Sequence, residues 1–161
     1  MVKNENFYNI KKNKYICIIV IIVLIDLYSK HWITKNFYLY EQKKIFSILN
    51  IFYVHNYGVA FSLLSNQNGW QKWLLSSISI ITILSIIYII VTSSQKNNII
   101  PYYFIIGGAI GNLFDRILHQ YVIDFIDFHI HNYHFATFNI ADLSIFFGIL
   151  IIIKNTLIRK I

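Results

Sequence analysis

Two aspartates in apolar surroundings are the residues of this sequence best suited to acid–base chemistry. Asp124 lies in the segment VIDFIDF, and Asp142 lies in FNIADLSI. Two carboxylates held together at low dielectric cannot both ionise easily, so they share one proton. The ionised member can deprotonate a water while the protonated member polarises a carbonyl, which hydrolyses a peptide bond without a metal or a covalent intermediate.

The spacing of these aspartates leaves alternatives open. Asp127 lies three residues after Asp124 in the same segment, and spacing does not exclude it as the first member of the pair. Two carboxylates can also be capped separately by their own hydrogen-bond donors, with no shared chemistry. The residues alone are therefore compatible with a reacting pair and with two unrelated structural carboxylates.

Further polar residues lie inside apolar runs. Asn112, Asp115 and Arg116 share one helix face, because they are spaced i, i+3 and i+4. A buried arginine needs a carboxylate partner, so Arg116 either pairs with Asp115 or points towards the reacting layer as a fork of donors. Asp26 and Lys30, spaced i, i+4, form either a self-neutralising ion pair or a polar tether at that layer.

Two other reactive combinations have weaker support. Ser29 next to Lys30 suggests a Ser/Lys protease, but adjacent residues point to different faces of a helix. His129, His131 and His134 could hold a metal, although interfacial histidines without a ligand role are commoner. No metal, nucleotide or prosthetic group is expected.

The composition predicts a membrane protein of one domain. The chain has 161 residues, of which 57% are hydrophobic and 13% charged, about half the charged share of a soluble domain. The net charge of +7 could attract nucleic acid, but the apolar runs leave no continuous basic face, so no nucleic-acid partner is expected. The single cysteine, Cys17, excludes an intrachain disulfide and is expected to be a packing residue.

Four apolar stretches approach the length of about 20 residues that a helix needs to cross a bilayer. Helix is the expected form, because isolated strands leave backbone groups unpaired in lipid. The predicted spans cover residues 15–34, 70–92, 99–118 and 138–153. The first is expected to be retained rather than cleaved as a signal peptide, because its N-terminal apolar stretch is followed by Asp26, Lys30 and His31 and not by a small-residue cleavage site.

Basic residues predict the orientation of these spans. With four spans, both termini and the turn between spans two and three lie on one side, expected to be the cytoplasm. The basic residues at these places are Lys3, Lys11, Lys12, Lys14, Lys96, Lys154, Arg159 and Lys160. The 119–137 connection has no Lys or Arg, as an outer loop should, whereas the 35–69 connection carries three lysines and weakens the bias.

This topology brings four of the seven acidic residues to one layer of the membrane. With a rise of about 1.5 Å per residue, Asp26 lies roughly 18 Å along the first helix from Lys14, past the midplane. Asp115, Asp124 and Asp142 also fall near the outer ends of their segments. Ionisable groups at such depth are costly, and they are functional candidates by default.

The connections and the third span carry further signals. Residues 45–55 (IFSILNIFYVH) predict a strand or hairpin at the outer interface, and the aromatic and histidine-rich segment 125–137 also suits that interface. Residues 56–62 predict a turn and a small-residue segment. Gly107 and Gly111 have GxxxG spacing, which predicts close packing of the third span against a neighbour.

Five motifs in this order resemble the bacterial lipoprotein signal peptidase (signal peptidase II) family. They are DLYSK (26–30), NYGVAFSLL (56–64), GGAIGNLFDR (107–116), VIDFIDF (122–128) and FNIADLSI (138–145). The resemblance implies an all-α membrane protein with four transmembrane helices, a small periplasmic β-cradle and a periplasmic interfacial helix. One domain over residues 1–161 is expected, in the bacterial inner membrane, with both termini cytoplasmic and the site near the periplasmic face.

The resemblance also implies the reaction. Members remove the signal peptide from diacylglyceryl-modified prolipoproteins by cleaving before the lipidated cysteine, so these substrates and membrane lipid are the expected partners of a monomer. By similarity, Asp124 and Asp142 are the catalytic pair, in preference to Asp127. Residues that match positions lining the site or contacting substrate are Asn56, Asn112, Arg116, Asn139 and Ala141, and those matching structural positions are Asp26, Lys30, Gly108 and Asp115.

One position departs from the family pattern. Where Gly is common between the DR and VxD motifs, this chain has Gln120. A glycine there permits a tight turn with positive φ, so Gln120 is expected to strain the turn or to shift Asp124 slightly.

Two other functions compete with the peptidase. An ion-coupled transporter would use the same intramembrane carboxylates, although the aliphatic inner halves of the spans offer no polar path. A non-enzymatic membrane scaffold would tolerate loss of both carboxylates.

Overall fold

Four helices and four strands make up the described part of the chain. The computed structural model describes residues 2–58, 69–92 and 99–158, with side chains from residue 15 onward. The elements are α1 (Val2–Asn36), β1 (Gln42–Phe46), β2 (Leu49–Asn56), α2 (Gln71–Thr92), α3 (Ile100–His119), β3 (Val122–Ile130), β4 (Tyr133–His134) and α4 (Ile140–Ile158). A helix therefore covers each of the four predicted spans.

Three of these helices are long and apolar enough to cross a membrane. They comprise Tyr15–Asn36, Gln71–Thr92 and Ile140–Ile158, with mean hydropathies between 1.8 and 2.6. Their outward faces expose large apolar side chains, such as Leu84 and Val91 of α2, as expected for surfaces that face lipid. α3 is more polar and packs against the other three helices, so a fourth crossing stays a prediction.

Glycines on two sides of α3 bring it close to α1 and α4. A Cβ atom at Gly107 would lie 3.1 Å from an α1 side chain, and one at Gly111 would lie 2.6 Å from the Asp26 carboxylate. A Cβ at Gly108 would meet the Ala141 carbonyl oxygen at the start of α4. The GxxxG spacing thus serves the close approach to α1, while Gly108 serves the approach to α4.

The strands form one antiparallel sheet in the order β1-β2-β3-β4. The hairpin predicted over residues 45–55 is present as β1 and β2, whereas β3 forms in a segment for which no strand was predicted. β2 is bulged between Ile51 and Val54, and Asp124 of β3 pairs with Val54. Because side chains alternate along a strand, Asp124 and Asp127, three residues apart, point to opposite faces of the sheet.

α3 ends at a residue in the left-handed conformation. Gln120 has φ 69° and ψ 4°, and its N–H donates to the Arg116 carbonyl at 3.2 Å. The positive φ expected at this turn is therefore present, with a Cβ where glycine would adopt the same conformation at lower cost. The turn leads directly from α3 into β3.

α4 begins with a reciprocal cap. The Asn139 side-chain Oδ1 accepts a hydrogen bond from the Asp142 N–H at 2.9 Å, and the Asp142 carboxylate accepts one from the Asn139 N–H at 3.4 Å. This capping-box arrangement explains why α4 begins at Ile140 rather than at residue 138. It also places Asp142 in the first turn, where the helix dipole favours negative charge.

Some predicted features lie outside the described residues. These are residues 59–68, which hold most of the NYGVAFSLL motif, and the turn that carries Lys96. Among residues 2–58, 69–92 and 99–158 no helix other than α1 to α4 is present, so the expected interfacial helix has no counterpart in that part of the chain.

Replacing Asn139 by Ser or by Ala tests the cap. Both changes remove the side-chain NH₂, but only Ser retains an oxygen that accepts from the first turn. We expect Asn139→Ala to lower the free energy of unfolding by about 1 kcal/mol relative to Asn139→Ser. Denaturant unfolding in detergent measures the difference, and equal stabilities would contradict a role of the cap at the start of α4.

Replacing Gln120 by Gly tests the strain at the end of α3. We expect Gln120→Gly to raise the free energy of unfolding by about 1 kcal/mol, since the left-handed conformation disfavours residues with a Cβ. Gln120→Ala is the matched control, because it removes the polar side chain and keeps the Cβ. A similar gain in both variants would assign the effect to the side chain and refute backbone strain.

Candidate active site

Two aspartates face one cavity between α2, α3, α4 and the sheet. The cavity has a volume of about 1110 Å³ and is lined by Asp124 of β3 and Asp142 of α4. Asp124 is only 2% exposed. Three of the other residues singled out from the sequence, Asn56, Asn112 and Arg116, line the same cavity.

Amide groups of three asparagines donate to the two carboxylates. Asn56 Nδ2 lies 2.9 Å from Asp124 Oδ2, and Asn139 Nδ2 lies 2.7 Å from Asp124 Oδ1. Asn112 Nδ2 lies 2.7 Å from Asp142 Oδ1. Hydrogen bonds from donors offset part of the cost of burying a carboxylate, so these amides support both aspartates in an apolar setting.

Each of these asparagines has its carbonyl oxygen held by a group that can only donate. The Gly58 N–H lies 3.0 Å from Asn56 Oδ1, and the N–H of Asp142 lies 2.9 Å from Asn139 Oδ1. The third oxygen, Asn112 Oδ1, is 3.2 Å from the Lys30 ammonium nitrogen. Because an amide has its donor and acceptor on opposite branches, pinning each oxygen turns each NH₂ towards an aspartate.

A buried charge cluster lies behind Asn112. The Lys30 Nζ is 2.7 Å from Asp26 Oδ2 and 2.9 Å from Asp115 Oδ2. The predicted Asp26–Lys30 ion pair is therefore present, and it also ties elements together, because Asp26 Oδ1 accepts from the Ala141 N–H at 2.9 Å. Asp115 Oδ2 likewise accepts from the backbone N–H that precedes Asp124, at 3.1 Å.

Arg116 does not form an ion pair with its neighbour Asp115. Of the two orientations considered for Arg116, the pair with Asp115 is wrong, because the ion-pair partner of Asp115 is Lys30. The physical reason is that the Lys30 chain crosses from α1 to reach the buried carboxylate, while Arg116 is half-buried and lines the cavity with Asp124 and Asp142.

Two further predicted residues support the site without lining the cavity. Asn139 and Ala141 are fully buried. Asn139 contacts Asp142 through the helix cap and Asp124 through its amide nitrogen. The backbone of Ala141 contacts both Asp26 and Gly108.

Asp127 belongs to a separate cluster on the other face of the sheet. Its carboxylate accepts from Asn50 Nδ2 at 2.8 Å and lies 2.9 Å from His134 Nδ1. His129 Nδ1 lies 3.0 Å from the His131 carbonyl oxygen. Within the described ranges, no three His, Cys, Asp or Glu side chains are arranged to hold a metal.

Burial sets the proton affinity of the site. Burial and, next, the charge of Asp142 together raise the pKa of the Asp124 carboxyl to about 7, against the lowering effect of the hydrogen bonds from Asn56 and Asn139. Asp124 therefore carries a proton for much of the time at neutral pH. A carboxylic acid beside a second carboxyl can donate and accept protons in one reaction.

The apolar wall of the cavity was not predicted from the sequence. On α2 the residues that line the cavity are Leu75, Ile78, Ser79 and Thr82. Their spacing puts them on one helix face, and Ser79 and Thr82 are small polar residues in a largely aliphatic helix, which is the signal that could have identified this face. Aromatic residues line another part, namely Phe128, Phe135, Phe138 and Phe146.

Comparison with known proteins places this site in a family. The family model described as signal peptidase (SPase) II matches residues 18–158. A protein named lipoprotein signal peptidase from Buchnera aphidicola subsp. Schizaphis graminum is 56% identical over 88% of this chain and 92% of its own length. The protein of that name from Enterobacter sp. (strain 638) is 45% identical over 87% of this chain and 86% of its own length.

A solved structure agrees with these matches. A bacterial membrane enzyme superposes with a TM-score of 0.81 at 31% identity, covering 90% of this chain and 88% of that chain. The apolar helices, the small sheet and the matched residues 18–158 all accord with a bacterial membrane peptidase, and the chain belongs to the signal peptidase II family.

Proposed function

We propose that this protein is an aspartic endopeptidase that removes the signal peptide from diacylglyceryl-modified prolipoproteins by cleaving before the lipidated cysteine. The observation that carries the proposal is that Asp124 and Asp142 line one cavity, each with amide donors, in a chain of the signal peptidase II family. The name shared by its curated relatives supports the choice of substrate.

The proposed reaction needs only the two carboxyl groups and a water. The ionised carboxylate takes a proton from the water, whose oxygen attacks the scissile carbonyl carbon, while the protonated carboxyl gives its proton to the carbonyl oxygen. The resulting diol then loses the amine as the nitrogen is protonated and the C–N bond breaks. This cycle requires one proton on the pair, which fits the raised pKa of Asp124.

The surroundings suit the proposed substrate. Arg116 lines the cavity and is suited to hold a substrate carbonyl, because a guanidinium presents several donors in a fixed plane. The aliphatic and aromatic walls supply an apolar surface for the signal peptide and the acyl chains. The lipid anchors of the substrate stay in the membrane, so the scissile bond would be cut near a headgroup layer.

The proposed orientation has both termini in the cytoplasm and the site near the periplasmic face of the inner membrane. The basic residues around the termini support it, as does the depth of Asp26 and Asp142 in their helices. A monomer is sufficient for the proposed chemistry, because both aspartates belong to one chain.

A transporter has less support than the peptidase. Most of the polar side chains buried in the described helices belong to the cluster of Asp26, Lys30, Asn112 and Asp115. The packed residues around Ile86, Tyr103 and Ile106 form an apolar cluster instead. Within the described residues, aliphatic packing therefore closes one side of the site, and no further series of polar side chains extends from the site across the helices.

Replacing either aspartate by asparagine tests the proposed pair. We expect Asp124→Asn and Asp142→Asn each to lower kcat by at least about 10³-fold, since each removes a group that must exchange protons with the substrate or water. The assay follows the gel shift of a diacylglyceryl-modified prolipoprotein incubated with purified protein in detergent.

Asp127→Asn is the matched control for this test. It makes the same chemical change on the same strand, on the opposite face of the sheet, and should leave kcat within about an order of magnitude of the wild type. Near-normal cleavage by either variant of the proposed pair would refute the assignment, and cleavage lost equally in all three would point to folding.

The pH dependence of cleavage tests the shared proton. Because burial and the charge of Asp142 raise the pKa of Asp124 to about 7, the pair loses its remaining proton as pH rises through this value. We expect kcat to fall above about pH 7, approaching tenfold per pH unit. Samples returned from high pH to neutrality should recover, which excludes denaturation, and a kcat that stays constant between neutral and clearly alkaline pH would contradict the mechanism.

A further inference from the structure

The buried ammonium of Lys30 makes one contact more than charge balance requires. Its ion pairs with Asp26 and Asp115 place two carboxylates within 2.9 Å, so the cation is already compensated. A third contact, of 3.2 Å, joins Lys30 Nζ to Asn112 Oδ1. Lys30 is only 1% exposed, so water is not available to replace these partners.

This third contact determines which way the Asn112 amide points. An ammonium group has three donors and no acceptor, so the atom of Asn112 that faces Lys30 must be the oxygen. The NH₂ branch then faces the other way, where its nitrogen lies 2.7 Å from Asp142 Oδ1. Asn139 Nδ2 reinforces the same orientation by approaching Asn112 Oδ1 at 3.1 Å.

The surroundings of the two aspartates differ in ways that favour the charged form of Asp142. Asp142 lies in the first turn of α4, where the helix dipole favours an anion, and it feels the positive charges of both Lys30 and Arg116. Asp124 projects from a strand rather than from the first turn of a helix. Lys30 and Arg116 act on Asp124 too, but the neighbouring charge of Asp142 favours its protonated form.

Building on the proposed aspartic mechanism, we propose that Lys30 is a positioning residue. It holds the Asn112 amide so that its NH₂ donates to Asp142, which keeps Asp142 as the ionised base and leaves the shared proton on Asp124. The pKa of about 7 for Asp124 agrees with this assignment. The substrate never contacts Lys30, which acts through Asn112.

This assignment defines the proton transfers of the proposed reaction. Asp142 takes the water proton as the water oxygen bonds to the carbonyl carbon, and Asp124 gives its proton to the carbonyl oxygen. Asp142 then protonates the amide nitrogen as the C–N bond breaks, and one hydroxyl of the diol returns its proton to Asp124. The products are a carboxylic acid and an amine, and both aspartates regain their starting states.

A variant in which the buried cluster carries no charge separates positioning from charge balance. Lys30→Met alone leaves the buried carboxylates of Asp26 and Asp115 without a cation, which is strongly destabilising. It is therefore combined with Asp26→Asn and Asp115→Asn, which keep the acceptor oxygens. In the folded triple variant, we expect kcat to fall by about 10- to 100-fold, with KM nearly unchanged. A decrease of this size corresponds to the loss of one hydrogen bond to a charged group. The acid limb of the kcat profile should move to higher pH, because the ionised form of Asp142 has lost a fixed donor.

Two results with these proteins would contradict the proposals. Wild-type kcat and an unshifted pH profile in the folded triple variant would show that Lys30 only balances charge. Absence of cleavage by the wild type would instead overturn the proposed function.

Substitutions at Asn112 decide the proton assignment even if the triple variant does not fold. Asn112→Ala removes the donor, whereas Asn112→Asp replaces it with an acceptor of the same shape. If Asp142 is ionised, the introduced carboxyl repels it, so Asn112→Asp should have the lower kcat above neutral pH and recover as pH falls. If Asp142 carried the proton it would donate to that acceptor, so a higher kcat for Asn112→Asp than for Asn112→Ala would overturn the proposal.

Discussion

The cost of burying carboxylates is the constraint on which the rest of this structure depends. An ionised carboxylate in an apolar interior is unfavourable unless donors or cations surround it. Four such groups, Asp26, Asp115, Asp124 and Asp142, converge here within hydrogen-bonding reach of a few shared residues. Two kinds of partner offset this cost. The Lys30 ammonium pairs with Asp26 and Asp115, and asparagine amides donate to Asp124 and Asp142.

This division keeps the cation away from the reacting groups. If an ammonium contacted Asp124 directly, it would stabilise the ionised form and remove the proton that the proposed mechanism requires. Asn112 separates the charge cluster from the aspartates, since it contacts Lys30 through its oxygen and Asp142 through its NH₂. Lys30 thus affects Asp142 by orienting the neutral amide of Asn112.

Close helix packing makes these short contacts possible. Gly111 lets α3 approach the Asp26 carboxylate, and Gly108 lets it approach the start of α4. The same end of α4 is capped by Asn139, whose amide reaches Asp124 on the sheet. Elements far apart in the chain are therefore joined at one point, and a small displacement of α3 would alter the environment of both aspartates.

The amino-acid sequence by itself determined the four helices and the motifs of the family, because apolar length is a local property that lipid constrains strongly. The departure of Gln120 from the family pattern pointed to a turn with positive φ, and residue 120 has that conformation. From spacing, however, Asp127 was as good a candidate as Asp124, and the family resemblance was needed to prefer one of them.

Only the tertiary structure decided which groups meet. The strand β3 puts Asp124 and Asp127 on opposite faces, and the partner of Asp115 is Lys30 of a distant helix rather than its neighbour Arg116. The α2 face of the cavity likewise became visible only when the helices were packed. These outcomes depend on strand register and on helix rotation about its axis, which arise from contacts between segments and leave no signal in the spacing within any one of them.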